Sequence, residues 1–226
     1  MTQPIGATLP AWTARDLPPT EPMVGRFCHL VPTDLEHAAN LFAAFTEDRD
    51  HSNWTYLPYG PIENIDSFTR WMRARCTAAD PLFHAIIDNV SQLPVELASC
   101  LRIEPTVGVI EVGHLHFSPF LQRTPAATKA MFLMMKRVFD ELGYRRYEWK
   151  CDALNTPSRR AAERLGFQFE GIFRQAIIYN GRNWDTAWYS IMDQDLSGLS
   201  TAFEKWLAPD NFDSNGGQRC RLESFR

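Results

Sequence analysis

The chain of 226 residues is 45% hydrophobic and 22% charged, and its formal net charge is −4. These values are ordinary for a single globular domain, and a weakly acidic chain has no bulk attraction for the phosphates of nucleic acids. No run reaches the ~18 apolar residues of a membrane-spanning helix, and the start of the chain lacks the basic and apolar stretches of a signal peptide. We therefore expect a cytoplasmic protein whose partners include neither nucleic acid nor a membrane.

The cysteines are scattered along the chain and odd in number. None forms a Cys-x-x-Cys pair, and no histidine lies at zinc-ligand spacing from any of them. This pattern is typical of free thiols in a reducing compartment, and we expect no bound metal. The five cysteines are Cys28, Cys76, Cys100, Cys151 and Cys220.

The two ends of the chain differ in composition from its middle. Five prolines in residues 1–23 resist helix and central strand, so we expect an extended or disordered arm there. Residues 208–226 include Ser214-Asn215-Gly216-Gly217 and few apolar side chains, and we expect them to form a loose polar tail. One globular domain is predicted between them, over residues 24–207.

The first half of this domain is predicted to hold one strand, two helices and three antiparallel strands. The strand covers residues 24–31, and Thr33-Asp34-Leu35-Glu36 has the pattern of a capping box ahead of the first helix. A linker rich in aromatic residues, 52–61, leads to a second helix over residues 62–78. Short polar links typical of hairpins join the next three strands. These strands are predicted over residues 82–88, 96–103 and 107–117.

In the second half, helices and strands alternate. One helix separates the fourth predicted strand from the fifth, so these two strands can run parallel. Asn180-Gly181 is a strong hairpin sequence between the last two strands. The fold class is therefore α/β (α+β), with a mixed, mostly antiparallel sheet, one parallel pair and helices on both faces. The predicted elements are helix 125–142, strand 145–151, helix 157–165, strands 167–179 and 182–192, and helix 199–207.

A helix start that can hold an anion follows the fourth predicted strand. Thr124 can cap the helix, and Pro125 can take its first position, where the missing amide proton costs nothing. The amides of residues 126–128 then lack partners inside the helix, and the helix dipole and Arg123 add positive charge. An ordinary capped helix whose alanines serve packing has the same pattern.

A second helix start repeats this arrangement after the fifth predicted strand. Thr156 and Pro157 open the helix, with Thr156 as the expected cap, and Asn155 and Ser158 lie close by. Open sheets bind ligands beyond the carboxyl ends of parallel strands, so the two helix starts would line one crevice. Asn155 and Ser158 could instead serve only to cap the helix.

With these motifs, residues 107–192 resemble the Gcn5-related N-acetyltransferase (GNAT) superfamily, and within it the ribosomal-protein N-acetyltransferases of the RimJ/RimL type. The superfamily signature Gln/Arg-x-x-Gly-x-Gly/Ala stands here as Gln122-Arg123-Thr124-Pro125-Ala126-Ala127. Downstream, Asn155-Thr156-Pro157-Ser158 stands ahead of Leu165-Gly166-Phe167 and Glu170-Gly171 in the family's register. The resemblance implies acetyl-CoA as cosubstrate and direct attack of a neutral amine on the thioester. The acceptor would be a protein N-terminus or a small-molecule amine.

The resemblance and the two helix starts together give a set of expected cofactor-binding residues. These are His116, Phe117, Gln122, Arg123, Thr124, Ala126, Ala127, Thr128, Asn155 and Ser158. Pro125 replaces the first signature glycine and removes one amide donor, which its place at the first helical position makes tolerable. Ser158 also occupies the family's position near the thiol, so we expect it to act as the proton donor to the leaving thiolate.

The catalytic base is expected at a different place from that of the ribosomal branch. There a Glu follows a Gln-Ala pair, whereas Gln175-Ala176 is followed here by Ile177. We nominate Glu111, because strand alternation places it on the apolar face of Val109 and Gly113. The pKa of a carboxyl group on such a face should be raised, which suits a base at neutral pH. The alternative is a glutamate that faces water.

Contacts to the acceptor are expected from the aromatic linker. Trp54, Tyr56 and Tyr59 could form a pocket wall, although each could instead pin the linker to the core. Asp185 could hold a cationic substrate. His114 and His116 share the face opposite Glu111, where a packing role is the commoner one and a proton relay the alternative.

Three hypotheses follow from these observations. The first is an active acetyltransferase. The second, motivated by Ile177, is a module that binds acyl-CoA but has lost the chemistry. The third is an unrelated α/β nucleotide-binding protein that uses the same helix starts for phosphate. The oligomeric state is left open, with a dimer as one option.

Overall fold

A single mixed sheet forms the centre of the protein in a computed structural model, which describes residues 3–214 and 216–226. Its strands are β1 (Met23–Val24), β2 (Cys28–Pro32), β3 (Leu82–Asp88), β4 (Pro94–Glu104), β5 (Val109–Gly113), β6 (Arg146–Asp152), β7 (Gln168–Tyr179) and β8 (Arg182–Met192). They are ordered β1-β2-β3-β4-β5-β6-β8-β7. Neighbours are antiparallel except β5 and β6, which are parallel. The predicted mixed sheet with one parallel pair is confirmed.

Helices cover both faces of this sheet, as expected. On one face, α1 and α2 pack over Phe83, Ala85 and Ile87 of β3, while Ile86 belongs to the core under the other three helices. Alternate residues of one strand therefore enter two separate cores. None of the described helices is long and apolar enough to cross a membrane. The helices are α1 (Ala38–Thr46), α2 (Ile65–Arg75), α3 (Pro125–Lys136), α4 (Thr156–Leu165) and α5 (Leu196–Leu207), and a π-helical turn (Arg137–Glu141) extends α3.

The fourth predicted strand is shorter than expected. β5 ends at Gly113, and beyond it His114 and Phe117 have left-handed φ angles of 55° and 54°. The predicted alternation, which placed His114 and His116 on one face, therefore does not hold past Gly113. The parallel pairing ends at Val112 and Trp149, after which β6 stays paired with β8. The chain turns away because β5 has lost its partner on that side.

Two helix caps also differ from the prediction. Asp34, and not Thr33, forms the capping box: its Oδ1 accepts from the amide of Glu36 at 3.0 Å, and its amide donates to His37 Nδ1 at 3.0 Å. Asn155, and not Thr156, caps α4. In both places an Asx side chain reaches an amide two or three residues ahead, and it competes successfully with the neighbouring threonine.

The two ends of the chain pack against the domain. In the extended N-terminal arm, Trp12 Nε1 donates to the carbonyl of Thr106 at 2.8 Å, and the carbonyl of Asp16 accepts from Tyr144 Oη at 3.1 Å. The C-terminal residues are not loose where they are described, because Leu222 is fully buried beside α5. Phe212 and Phe225 also pack, partly buried, against the same core, and so few apolar residues are easily missed in a polar stretch. Asn215 of the predicted Ser-Asn-Gly-Gly segment lies outside the described residues.

Candidate active site

A cavity of about 320 Å³ lies where β5 and β6 separate. The two strands form one wall, and the start of α4 forms another. Residues of the aromatic linker and of the β7–β8 hairpin close the remaining sides. It lies beyond the carboxyl ends of the parallel strands, where the crevice was predicted, but only the second of the two helix starts expected there lines it. Both residues nominated for catalysis, Glu111 and Ser158, line it.

Glu111 lies on a charged face of the sheet rather than an apolar one. Its Oε2 accepts from Arg102 Nη1 at 2.5 Å and lies 2.8 Å from Lys150 Nζ. The same ammonium group is 2.8 Å from Glu148 and 3.7 Å from the centre of the Trp188 ring. The prediction of an apolar face was wrong because β4 and β6 contribute charged side chains to it. The alternation of residues along β5 alone cannot reveal charges on neighbouring strands. The Glu111 carboxylate is buried between two cations.

Ser158 is held at two points at the start of α4. Its amide donates to Asn155 Oδ1 at 3.1 Å, so the Asn155 side chain does cap the helix while it also lines the cavity. The Ser158 hydroxyl oxygen is 3.0 Å from Trp149 Nε1, which donates to it. Burial raises the pKa of the neighbouring Cys151 thiol, and a hydrogen bond from Ser158 opposes that rise. Sequence reasoning did not single out Trp149 or Cys151, although both line the cavity.

The start of α3 lies outside this cavity and is less open than predicted. Thr124 caps the helix as expected. Its hydroxyl oxygen accepts a hydrogen bond from the amide of Ala127 at 3.2 Å, so that amide is not free to bind an anion. The Thr128 hydroxyl accepts from Arg164 Nη1 at 3.0 Å. Arg164 of α4 thus brings a second positive charge to the start of α3, in addition to the exposed Arg123. No sequence pattern connects Arg164 with Thr128, because the two residues lie on different helices.

A buried carboxyl group holds the loop after β5 by a hydrogen bond to its backbone. Glu96 of β4 is fully buried, and its Oε2 accepts from the amide of Ser118 at 2.5 Å. Burial raises the pKa of Glu96 to about 8, against the lowering effect of backbone amides in the loop. A glutamate at the start of a predicted strand carries no pattern that would identify this role.

Three residues of that loop, all expected to bind the cofactor, instead pack in the core or form a hydrogen bond within the loop. His116 is buried outside the cavity, with its ring 4.3 Å from that of Phe45 and 4.4 Å from that of Trp54. Burial lowers the pKa of His116 to about 4, so the ring is neutral near pH 7. Gln122 Nε2 donates to the carbonyl of Phe117 at 2.7 Å. The Phe117 ring packs partly buried against the core under α3.

Only one of the three aromatic residues predicted to contact the acceptor lines the cavity. Tyr56 does so, together with its neighbours Leu57 and Pro58. Trp54 is buried in the core under α1 and α2, which is the alternative that the sequence left open. Tyr59 turns away from the cavity and shares a 3.1 Å hydrogen bond with His114 Nδ1.

Asp185 lies outside the cavity and supports the shape of β7. Its Oδ1 accepts from the amide of Gln175 at 2.7 Å and from Asn183 Nδ2 at 2.8 Å. Gln175 has a left-handed φ of 54°, in an irregular part of β7 that precedes Ile177. On the side of the cavity formed by the hairpin lies Ile177, the residue that follows Gln175-Ala176.

Comparison with known proteins places this chain in a family. Residues 28–168 match the model of the acetyltransferase (GNAT) domain. The crystal structure of a GCN5-related N-acetyltransferase from Brucella melitensis is 45% identical and superposes with a TM-score of 0.94, covering 96% of this chain and 99% of that one.

More distant relatives extend the comparison. The uncharacterized N-acetyltransferase YnaD of Bacillus subtilis (strain 168) is 28% identical over 85 residues, and the match covers 38% of this chain and about half (49%) of that protein. The microcin C7 self-immunity acetyltransferase MccE, solved with acetyl-CoA and AMP, shares the fold at 19% identity and a TM-score of 0.65, over 74% of this chain and 93% of MccE. With its mixed sheet and its crevice at the β5–β6 split, this chain belongs to the GNAT acetyltransferase family.

Proposed function

We propose that the protein is an acetyl-CoA-dependent N-acetyltransferase that moves the acetyl group to a primary amine by direct attack on the thioester. The observation that carries this proposal is that a carboxylate from β5 and a hydroxyl from the start of α4 line one cavity at the strand split. Direct transfer needs a group that takes a proton from the amine and a donor for the leaving thiolate. Glu111 and Ser158 supply this pair.

Residues of this chain also suit the cosubstrate. The exposed Arg123 and the partly buried guanidinium of Arg164 flank the start of α3, and both would attract a diphosphate. Beyond Val112, the edge of β5 that faced β6 is left without strand pairing, so its backbone can pair with an extended chain such as pantetheine. The solved complex of MccE with acetyl-CoA supports the same choice of ligand for this fold.

Glu111 can act as the base despite its two cations. Both cations bind Oε2, and among the described residues no group donates to Oε1. Oε1 is therefore available to an amine or to a bridging water. Arg102 and Lys150 would hold the carboxylate in one orientation, since each contacts the same oxygen.

The test is transfer of radiolabelled acetyl from acetyl-CoA to a panel of amines and peptides. We expect Glu111→Gln to lower kcat by roughly 10²- to 10⁴-fold, the range typical of a lost general base. Glu148→Gln is the matched control, because Glu148 contacts the same Lys150 but does not line the cavity. An equal loss in both variants would show that Glu111 serves only the ion pairs.

A second candidate function is a module that binds acyl-CoA without transferring the acyl group. It is favoured by one observation, namely that Ile177 lines the cavity where the ribosomal branch has a glutamate. Tight binding of CoA, with no transfer to any acceptor in a single-turnover assay, would support it.

The proposed relation to the ribosomal branch rests on the motif from Asn155 to Gly171. Identifying which amine or peptide in the panel is acetylated fastest tests this relation. The five free thiols support a reducing, cytoplasmic location.

A further inference from the structure

The Trp149 side chain constrains the Ser158 hydroxyl more tightly than a cap alone would. An indole Nε1 carries one hydrogen and can only donate, so at 3.0 Å the Trp149 N–H points at Ser158 Oγ. One lone pair of the hydroxyl oxygen is then occupied. The single Ser158 proton cannot point back at the indole and must be directed elsewhere.

Trp149 is itself well fixed. It is the last residue of β6 that pairs with β5, opposite Val112, and on its other side it pairs with Tyr189 of β8. Its side chain is 3% exposed, and its ring stands edge-on to that of Phe167 at 5.6 Å. The donor therefore stands at the strand split with little freedom to move.

The Ser158 proton is left available to a sulfur acceptor. The nearby Cys151 thiol stands two residues beyond Trp149 on the same face of β6, and the Ser158 hydroxyl lowers the pKa of that thiol against the raising effect of burial. A thiolate is a far stronger acceptor than a neutral thiol, so a thiolate formed in the cavity would attract the Ser158 proton more strongly than Cys151 does. A donor at Oγ also polarises the O–H bond and strengthens the bond that it makes.

We propose that Trp149 is a positioning residue, whose indole N–H holds the Ser158 hydroxyl so that its proton faces the leaving thiolate. This rests on the proposed function, in which Ser158 is the donor. As the C–N bond forms and the C–S bond breaks, the sulfur takes the electron pair and accepts the hydrogen bond from Ser158. The proton of the amine passes to Glu111 and then to water, and the thiolate gains a proton that Ser158 relays from water.

The test is a double-mutant cycle with Trp149→Phe and Ser158→Ala, measured on the full-length enzyme. Trp149→Phe removes the N–H and keeps an aromatic ring. We expect it to lower kcat by up to about tenfold with an unchanged KM for acetyl-CoA, the scale of one lost hydrogen bond. In the Ser158→Ala background, the same change should have no effect on kcat.

The matched control is Trp71→Phe, because the Trp71 Nε1 is buried without a hydrogen-bond partner among the described residues and Trp71 does not line the cavity. It should leave kcat unchanged. Replacement of Trp149 by benzothienylalanine, which keeps the bicyclic shape and lacks the N–H, should reproduce the loss of Trp149→Phe without a packing defect.

The proposal would be overturned if Trp149→Phe lowered kcat by the same factor in the wild-type and Ser158→Ala backgrounds. Full activity of the benzothienylalanine variant would also overturn it. A failure of the proposed function is distinguishable from these outcomes, because wild-type enzyme would then transfer no acetyl group at all.

Discussion

Tyr179 Oη donates a 2.7 Å hydrogen bond to the backbone carbonyl of Thr55, and this contact joins the tip of the β7–β8 hairpin to the aromatic linker. Next to it, the rings of Tyr56 and Trp184 meet edge to face with centres 6.5 Å apart. The two segments that border the acceptor side of the cavity, far apart in the chain, are therefore held together by one hydrogen bond and one ring contact.

Breaking this bridge should loosen the acceptor side without affecting the chemistry. We expect Tyr179→Phe to raise the KM for the amine by up to about tenfold, the scale of one hydrogen bond, with little change in kcat. Steady-state kinetics with saturating acetyl-CoA measures this. Tyr147→Phe is the matched control, since that buried hydroxyl has no partner among the described residues. An unchanged KM in Tyr179→Phe would mean that the bridge does not shape the acceptor site.

Glu96 should make the protein less stable as the pH rises. Burial raises its pKa to about 8, whereas the unfolded chain ionises near the ordinary value of 4.5. Between these values the unfolded state loses a proton that the folded state keeps, so the free energy of unfolding falls as the pH rises. Its contribution to the free energy of unfolding is fully present below about pH 4.5 and is lost by about pH 8, and the difference amounts to ~5 kcal/mol at most.

Urea unfolding of wild type and Glu96→Gln at several pH values between 5 and 9 tests this. The neutral amide has no carboxyl proton to lose, so the difference in stability between the two proteins should move in favour of the variant as the pH rises. Other titrating groups are common to both proteins and cancel in the comparison. A difference that does not change with pH would contradict the account of Glu96.

Arg164 should contribute to cosubstrate affinity through its charge beside the start of α3. We expect Arg164→Gln to raise the Kd for CoA by about five- to tenfold, because one charge-assisted contact is lost. The loss should shrink as salt is added, since salt screens such contacts. Calorimetry of CoA binding measures both effects. Arg160→Gln, an exposed arginine on the same helix, is the control, and equal affinities for the two variants would exclude a special role for Arg164.

Acid should destabilise the protein through its buried histidines. Burial lowers the pKa of His84 to about 4, and neither ring nitrogen of that side chain has a hydrogen-bond partner among the described residues. The unfolded chain takes up a proton near pH 6.5 that the folded protein resists, so stability falls from about pH 6.5 down to about 4. His84→Phe should weaken this loss in unfolding experiments at pH 5, and an unchanged acid profile would refute the assignment to His84.

The features that sequence predicted well are local. Asn180 and Gly181 have φ angles of 45° and 70°, as a two-residue hairpin turn requires, and β8 spans the predicted residues 182–192. The helix start at Thr124-Pro125 is also where the sequence places it. Each of these depends on a few neighbouring residues whose backbone preferences agree.

The features that sequence missed depend on partners elsewhere in the chain. His116 leaves the strand because β5 loses its neighbour β6 after Val112, and Glu111 is surrounded by charges from two other strands. The contacts of Arg164 with Thr128, and of Glu96 with Ser118, likewise join distant segments. Periodicity within one element carries no information about such pairs, so the cavity was predicted at the correct strand ends while many of its lining residues were not.

A crystal structure with acetyl-CoA bound tests the central claim most directly. The account predicts that the thioester sulfur lies within hydrogen-bond distance of Ser158 Oγ, with the carbonyl carbon on the Glu111 side of the cavity and the diphosphate beside residues 123–128. A diphosphate bound away from the start of α3, or a sulfur out of reach of Ser158, would contradict it.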